Sequence, residues 1–517
     1  MLLLVIALFF GFLRISIPGL PATPLEVSPS QKATFDIAFQ TLKDNLPSSL
    51  FLGSGPSTFV YDYSKFKSET INQTAFWGVR FSSGASDILD KLATTGILGL
   101  ISWLGILGMF IYIGFSQLSR APKGEGEAPA FTWILSLGVF ASWLAIVAAQ
   151  FLYPANLSLL FLFWVFTASF ITLADRKVKS WTLEPSSRSA ILVSFIFIFI
   201  LVLGIGLLFL VGQRYLAEVR YLQGLEAVQR GDNRAGINYF SEAISYTAGK
   251  QDNYWRDLSQ VYLFRINEEL PRTDISPEEI GNIITPLISN VVNSATATTD
   301  VAPKNVANWA VRGFVYRNLI NLIEGTDQWA IRSYEEAAKF EPANPYLYTE
   351  LGRVYLAKDD LEKAREQFQK AIDLKSDYAP AHFQMAMIYV REGKIEEAIG
   401  KLEATKRVAP FDPGLAFQLG LIYYNNEQFD KAWAEFERAI GFDPNYSNAR
   451  YFLGLIYDRE KKKDLAIEQF IRIEELNPEN EEVKKILVNL RAGKAALEGI
   501  TPARPPIEEA PPERLEK

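Results

Sequence analysis

The sequence predicts an all-α protein in two parts, a polytopic membrane helix bundle followed by an α-solenoid of paired helices. Two observations carry this expectation. Long uncharged apolar runs crowd residues 1–212 while residues 213–517 are polar, so the 49% hydrophobic content and mean hydropathy of +0.06 average over two unlike halves. From Pro342 onward the polar half repeats with a period of 34 residues, the length of a helix–turn–helix unit that buries its apolar face only against a neighbour.

Taken in order, the first apolar run is Leu2 to Leu20, interrupted by Arg14 and Pro18, and residues 1–20 are expected to form a transmembrane helix. No basic residue precedes its apolar core and no small-residue cleavage site follows, which disfavours a signal peptide. A chain opening directly in such a run is expected to lack earlier helices. Residues 21–94 form a polar, aromatic, glycine-punctuated loop domain with a helix expected over Ala33 to Leu46. It passes without a spacer into Gly96 to Phe115, 20 uncharged residues, enough helix to cross a bilayer core of ~30 Å at ~1.5 Å per residue. Phe131 to Tyr153, Ala155 to Ala174 and Ala190 to Val211 follow, giving four expected membrane helices over 95–212.

Lys and Arg in short loops resist translocation. Arg176, Lys177, Lys179 and Arg188 between Asp175 and Ser189, with Arg120 and Lys123 between Ser116 and Ala130, therefore put these two loops in the cytoplasm. The loop domain and everything after Val211 are then expected on the opposite, outer face.

Zero Cys excludes disulfides, thiol nucleophiles and thiolate metal sites, and the single His382 excludes a His-cluster site. No metal and no cofactor is expected. A net charge of −7 without a long basic run leaves no electrostatic footprint for nucleic acid.

The repeat places a small residue at Gly352, Ala386, Gly420 and Gly454, and an aromatic three later at Tyr355, Tyr389, Tyr423 and Tyr457. A second helix repeats Ala364, Ala398, Ala432 and Ala466, then Phe368, Leu402, Phe436 and Phe470, with Pro410, Pro444 and Pro478 closing the units. The pattern closely resembles the tetratricopeptide repeat family. Asn308 to Pro342 is a further unit with about five extra residues around Asn318 to Asp327; Tyr221 to Tyr246 and Trp255 to Tyr262 are degenerate units, and Pro271 to Lys304 breaks the period with Asp, Ser, Pro and Thr around one apolar helix. The expected divisions are a degenerate region over 213–305, the array with a capping helix Glu481 to Leu497 over 306–497, and a Pro/Glu-rich disordered tail over 498–517. His382 occupies a packing position of the repeat. The resemblance implies a groove for a protein or peptide partner, lined by Tyr346, Thr349 and Arg353, then Phe383, Met387 and Arg391, then Phe417, Leu421 and Asn425, then Tyr451, Leu455 and Arg459. Phe383, Phe417 and Tyr451 form a ladder that is either an apolar contact surface or inter-helix core.

In the loop, SLFLGSGPSTF followed by DILDKLATTGILGLISWLG resembles the external loop and next helix of the O-antigen ligase and polymerase family, through Gly53, Gly55 and Phe59 and then Leu92, Gly96 and Gly99. That family implies a bacterial inner-membrane location and transfer of glycans from a polyprenyl-diphosphate carrier, with a base on the acceptor hydroxyl and Arg side chains on the departing diphosphate. Arg80 is the clamp candidate, Lys32 stands where an earlier Arg is usual, and Asp87 or Asp90 is the base candidate, although first-turn acidity of a helix explains both. The family's hallmark His is replaced by Ala85. The NQT sequence at Asn72 is then a chance match rather than a glycosylation site. Two readings stay open: a divergent glycan ligase or polymerase with a lipid-linked glycan substrate, and a non-catalytic membrane-anchored scaffold for cell-envelope protein assembly.

Overall fold

A computed structural model describes residues 27–119, 127–173, 187–272, 274–478 and 480–500, and the regular elements among them are helices. The Leu2 to Leu20 run, the loop residues Arg120, Lys123, Arg176, Lys177 and Lys179, and residues 501–517 lie outside the described residues. The chain divides into two compact units, Met1–Asn321 with Glu335–Ala343, and Leu322–Tyr334 with Asn344–Lys517.

In the first unit the loop domain is built from small helices, Gln31–Asp44, Ser48–Leu52 and Phe59–Phe66, with a 3-10 turn at Glu69–Gln73. Ser30, not Ala33, sets the first start, because its hydroxyl accepts the Ala33 N–H. The helix Asp87–Leu118 follows, capped by Ser86 and broken once, at Gly96, where φ is 66°. Glu127–Leu152 packs against it, and their core gathers Leu107, Phe140, Trp143, Phe163 and Phe170. Gly114 is required at this crossing, since a Cβ there would stand 2.1 Å from the Phe140 ring. Polar tips inside this bundle are paired: Trp143 Nε1 donates to Thr167 Oγ1 at 2.9 Å and Trp103 Nε1 to Gln150 Oε1 at 3.1 Å.

Among the described residues three helices are long and apolar enough to cross a membrane: Asp87–Leu118, Phe131–Leu152 and Ile191–Gln229. The run from Ala155 to Ala174 shortens to the 17-residue helix Leu157–Leu173 because Pro154 precedes it and Asn156 caps it, its Oδ1 accepting the Leu159 N–H at 2.8 Å. The boundary expected at 212 falls inside one unbroken helix of 43 residues, Ser187–Gln229. Its final turns pair with Asn233–Tyr246, and Gly224 receives the Phe240 ring at a distance of 2.5 Å from where a Cβ would be. The apolar helix expected in the segment that breaks the repeat period is Pro277–Val301, started by a Ser276–Glu279 capping box and paired with Asp252–Glu269. The five extra residues before the regular array lengthen the turn between Val306–Asn318 and Thr326–Phe340.

The second unit stacks four helix pairs: Pro345–Ala357 with Leu361–Leu374, Ala379–Arg391 with Ile395–Val408, Pro413–Asn425 with Phe429–Phe442, and Ser447–Arg459 with Lys463–Leu476. Three of the four pairs close by putting a ring against a glycine: a Cβ on Gly352, Gly420 or Gly454 would lie 2.4, 2.7 or 2.6 Å from the ring of Phe368, Phe436 or Phe470. Where Ala386 replaces the glycine, Leu402 replaces the ring, and both are fully buried. Each first helix ends with a left-handed residue, at Asp359, Gly393, Glu427 and Lys461. The next N–H reaches back to the carbonyl of the repeated tyrosine, Asp360 to Tyr355 at 3.0 Å, Lys394 to Tyr389 at 2.8 Å, Gln428 to Tyr423 at 2.9 Å and Lys462 to Tyr457 at 2.9 Å. The last helix, Glu481–Arg491, covers the end of the core with Val483, Ile486, Leu487 and Leu490. It stops six residues before the expected Leu497, because Gly493 turns left-handed at φ 78° and the Lys494 N–H returns to the Asn489 carbonyl at 2.9 Å.

Candidate functional site

The two glycine motifs of the loop and the following helix meet in space. The break at Gly96 leaves the Ala93 and Thr94 carbonyls without their helical donors, and the turn at Gly53–Pro56 supplies replacements: Ser54 N–H to Ala93 O at 3.1 Å and Gly55 N–H to Thr94 O at 2.9 Å. The backbones touch. A Cβ on Gly53 would be 2.4 Å from the Thr94 carbonyl carbon, and one on Gly96 would be 2.5 Å from that of Phe51. Phe59 and Tyr63 cover this contact with Ile37, Ala38 and Ala93. Asp62 lies beside it, accepting a short hydrogen bond from the Ser54 hydroxyl. Burial pushes the Asp62 carboxyl up to about 6, against that hydrogen bond, which lowers it.

Of the four residues singled out for chemistry, Arg80, Asp87 and Asp90 bond to other groups and Lys32 is exposed; Asp90 Oδ1 accepts the Gly84 N–H at 2.8 Å. Arg80 donates from Nε and Nη2 to Glu341 Oε2, at 3.0 and 2.6 Å, and its side chain is 33% exposed. Lys67 takes the other oxygen, Nζ to Oε1 at 2.7 Å, and also donates to the Trp77 carbonyl at 3.1 Å. Both Lys67 and Glu341 are buried. Burial alone would raise the Glu341 carboxyl; the charges and hydrogen bonds of Arg80 and Lys67 outweigh it and hold the group below the ordinary range. Arg80 is therefore the partly exposed arm of a buried ion cluster, not a free guanidinium fork. Asp87 is buried in the first turn of its helix, paired with Lys91 one turn on, while its N–H donates to the Tyr153 carbonyl at 3.0 Å. Lys32 is exposed on the helix Gln31–Asp44. Asn72 is buried, its amide donating to the Ala343 carbonyl at 2.7 Å, a position closed to glycosylation.

On the repeats, part of the expected groove is core. Phe417 and Tyr451, two rungs of the aromatic ladder, are buried, and the Tyr451 hydroxyl donates to Glu482 at 2.7 Å; Thr349 is buried with its hydroxyl on the Pro345 carbonyl. The first-helix side chain at this repeat position points into the next helix, so only the half-buried Phe383 keeps an accessible edge. Tyr346, Arg391, Asn425 and Arg459 are exposed, with Arg353, Met387, Leu421 and Leu455 half-buried between them. Arg459 lies 3.8 Å from the centroid of the Phe429 ring, and Arg353 pairs with Glu350 at 2.6 Å. His382, expected in the core, is half-buried with Nε2 2.8 Å from the Ser376 carbonyl.

These pairs define an all-α protein of long apolar helices and a helix-pair solenoid. Its repeats are tetratricopeptide repeats: models of the tetratricopeptide repeat match residues 352–393, 383–447 and 417–481. Among curated proteins the chain is similar to superkiller complex protein 3 of Mus musculus, 29% identical over 108 residues, 21% of this chain and 7% of that protein. It is also similar to the STIP1 homolog of Dictyostelium discoideum, 30% identical over 81 residues, 16% of this chain and 14% of that protein. Among solved structures it is similar to a tetratricopeptide repeat protein from Parabacteroides merdae, at 16% identity and a TM-score of 0.37, over 53% of this chain and 98% of that one. YrrB, described as having an unusual peptide-binding site, is 18% identical with a TM-score of 0.24, over 36% of this chain and 93% of its own. The family matches begin at Gly352, so they lend no support to the glycan-ligase resemblance of the loop.

Lys67 and Glu341 were missed from sequence because a buried pair so distant in the chain leaves no local signal. The Gly224–Phe240 pair was legible: its 16-residue spacing equals that of Gly352–Phe368, Gly420–Phe436 and Gly454–Phe470.

Proposed function

We propose that this chain is a membrane-anchored tetratricopeptide scaffold that holds a protein or peptide partner on the first-helix face of its repeats. The observation that carries the reading is the run of four in-phase helix pairs, whose first helices leave Tyr346, Arg391, Asn425 and Arg459 open to solvent between half-buried apolar residues. That mixture of cationic, amide and apolar groups suits an extended peptide bearing carboxylates and apolar side chains. Three long apolar helices supply the anchor, with the 17-residue apolar helix Leu157–Leu173 as the fourth crossing that two cytoplasmic basic loops require. The basic loops expected in the cytoplasm favour the repeats on the opposite face, and a reporter that folds only in the cytoplasm, fused after Leu497, is expected to stay dark. Glycan transfer is the weaker reading, since Arg80 is committed to Glu341 and Asp87 to Lys91.

The test is a photo-crosslinking amino acid placed at Asn425 in the full chain in its own cells, beside one at the second-helix position Gln369. A discrete adduct from Asn425 that is absent from Gln369 and lost on Arg391→Glu with Arg459→Glu supports the reading. The same adducts from both positions, or none, would overturn it.

A further inference from the structure

We propose that the helices Gln31–Asp44 and Ser48–Leu52 lie in the membrane–water interface, with Phe35, Phe39, Phe51 and Leu52 in contact with lipid. The proposal rests on the reading that Asp87–Leu118 and Phe131–Leu152 cross a membrane.

The helix Gln31–Asp44 has more apolar surface than its core uses. Ile37, Ala38 and Leu42 face inward, yet Phe35 and Phe39 remain 50% and 47% exposed, their rings stacked with centroids 6.2 Å apart. Phe51 and Leu52, on the next helix, are also exposed. Surface of this kind is unfavourable while it stays in water. Lys43 stands at the end of the Phe stripe with Nζ 3.9 Å from the Phe39 centroid, the posture of a cation whose stem lies on apolar surface and whose head reaches headgroups or water. Asp36 and Gln40 sit about 100° further round the same helix and are exposed.

Two contacts set the level of these helices against the membrane helices, and a third joins the membrane-helix ends to each other. The side-chain amide of Gln31 lies 3.5 Å from the carbonyls of Ala85, Phe151 and Leu152, at the end of one apolar helix and just before the start of another. The Asp87 N–H joins those two ends through the Tyr153 carbonyl. The Phe51 backbone presses on Gly96, the first residue of the uncharged run. Just beyond it Leu98 and Ile101 are exposed in their turn. The exposed Phe51 and Leu52 thus stand beside the start of the membrane-crossing helix and its own exposed Leu98, and that adjacency points to lipid as the occupant. An amphipathic helix in this position sinks about 5–10 Å into the headgroup and acyl boundary.

The chain has no cysteine, so single substitutions Phe39→Cys, Phe51→Cys, Gln40→Cys and Ile101→Cys can each carry one fluorophore without background. The full chain is reconstituted in vesicles of phosphatidylethanolamine and phosphatidylglycerol and quenched in turn by a lipid nitroxide near the headgroup, a nitroxide deep in the acyl chain, and aqueous iodide. Labels at 39 and 51 are expected to lose emission with the shallow nitroxide and not with iodide, the label at 40 to show the reverse, and the label at 101 to respond to the deep nitroxide. If 101 responds to lipid while 39 and 51 respond to iodide as 40 does, the proposal is overturned and the membrane reading stands. A label at 101 that escapes both nitroxides sinks the membrane reading and the proposal with it. Labels at 39 and 51 shielded from both lipid and iodide identify a protein cover, a second copy or a partner, and also overturn it.

Discussion

At Glu341 two cations converge on a carboxylate that has no access to water. Replacing it with Gln leaves Lys67 buried without its counter-charge, a loss on the order of 3–5 kcal/mol for a broken buried pair. The full chain in detergent should unfold at lower temperature, and protease should cut between Lys67 and Arg80 sooner. Arg80→Ala should cost less, because its side chain keeps water contact. The acid limbs of Glu341 and Asp62 run in opposite directions. Glu341 is held below its ordinary value, so its contribution is complete above about pH 4.3 and is lost as pH falls through the folded value. Asp62 is raised to about 6, so its contribution is present at low pH and is lost as pH rises from about 4 to about 6. Asp62→Asn should therefore flatten the stability profile across that upper window, and Glu341→Gln the acid limb below it, in melting curves taken at stepped pH. Arg80 stood out in the sequence as a fixed positive charge between Trp77 and Phe81. Its partner, 261 residues away, left no trace there, and a clamp for phosphate and an arm for a buried carboxylate have the same composition.

The repeat pair is the element in which shape complementarity is most exposed to test. Gly420→Ala should push the new methyl into the Phe436 ring and cost roughly 1–3 kcal/mol by overpacking, while Phe436→Leu alone should open a gap. Together they recreate the Ala386–Leu402 pair found one repeat earlier, so the double variant should melt above the sum of the two losses, a favourable coupling in a double-mutant cycle. Strict additivity would mean that ring and glycine do not meet. The turns offer a second check. Lys461 holds φ 64° where its equivalent Gly393 holds 75°, so Lys461→Gly should stabilise by up to about 1 kcal/mol, the left-handed penalty less the added chain entropy. At this scale much was legible, because small and bulky residues recur at one spacing and only a helix pair explains both series. The insertion between Asn318 and Thr326 and the helix Pro277–Val301 were legible as breaks in the period, but their pairing was not. A helix can pair with any apolar neighbour, and only in-phase units announce themselves by period. The left-handed turn residues were invisible for a related reason: Asp359, Glu427 and Lys461 carry none of the glycine signal that Gly393 does.

For the whole molecule, composition separated an apolar part from a repetitive one, and the structure keeps both. What composition obscured was the seam. Hydropathy ends at Val211, whereas hydrogen bonding continues from Ser187 to Gln229 without interruption, since polarity and helicity are set by different properties of the side chains. The final apolar helix and the first repeat-like helix thus share a single screw axis, and a screw converts length into angle. One alanine inserted at Gly212 should turn Gly224 and its Phe240 partner by about 100° and lift them about 1.5 Å relative to Ile191–Val211, whereas seven residues should restore the bearing to within about 20°. Labels that report the orientation of that pair against the bilayer should follow this alternation of phase, and adducts formed in cells should fade and return with it. A monotonic decline with insert length would show that the shaft transmits reach and not bearing.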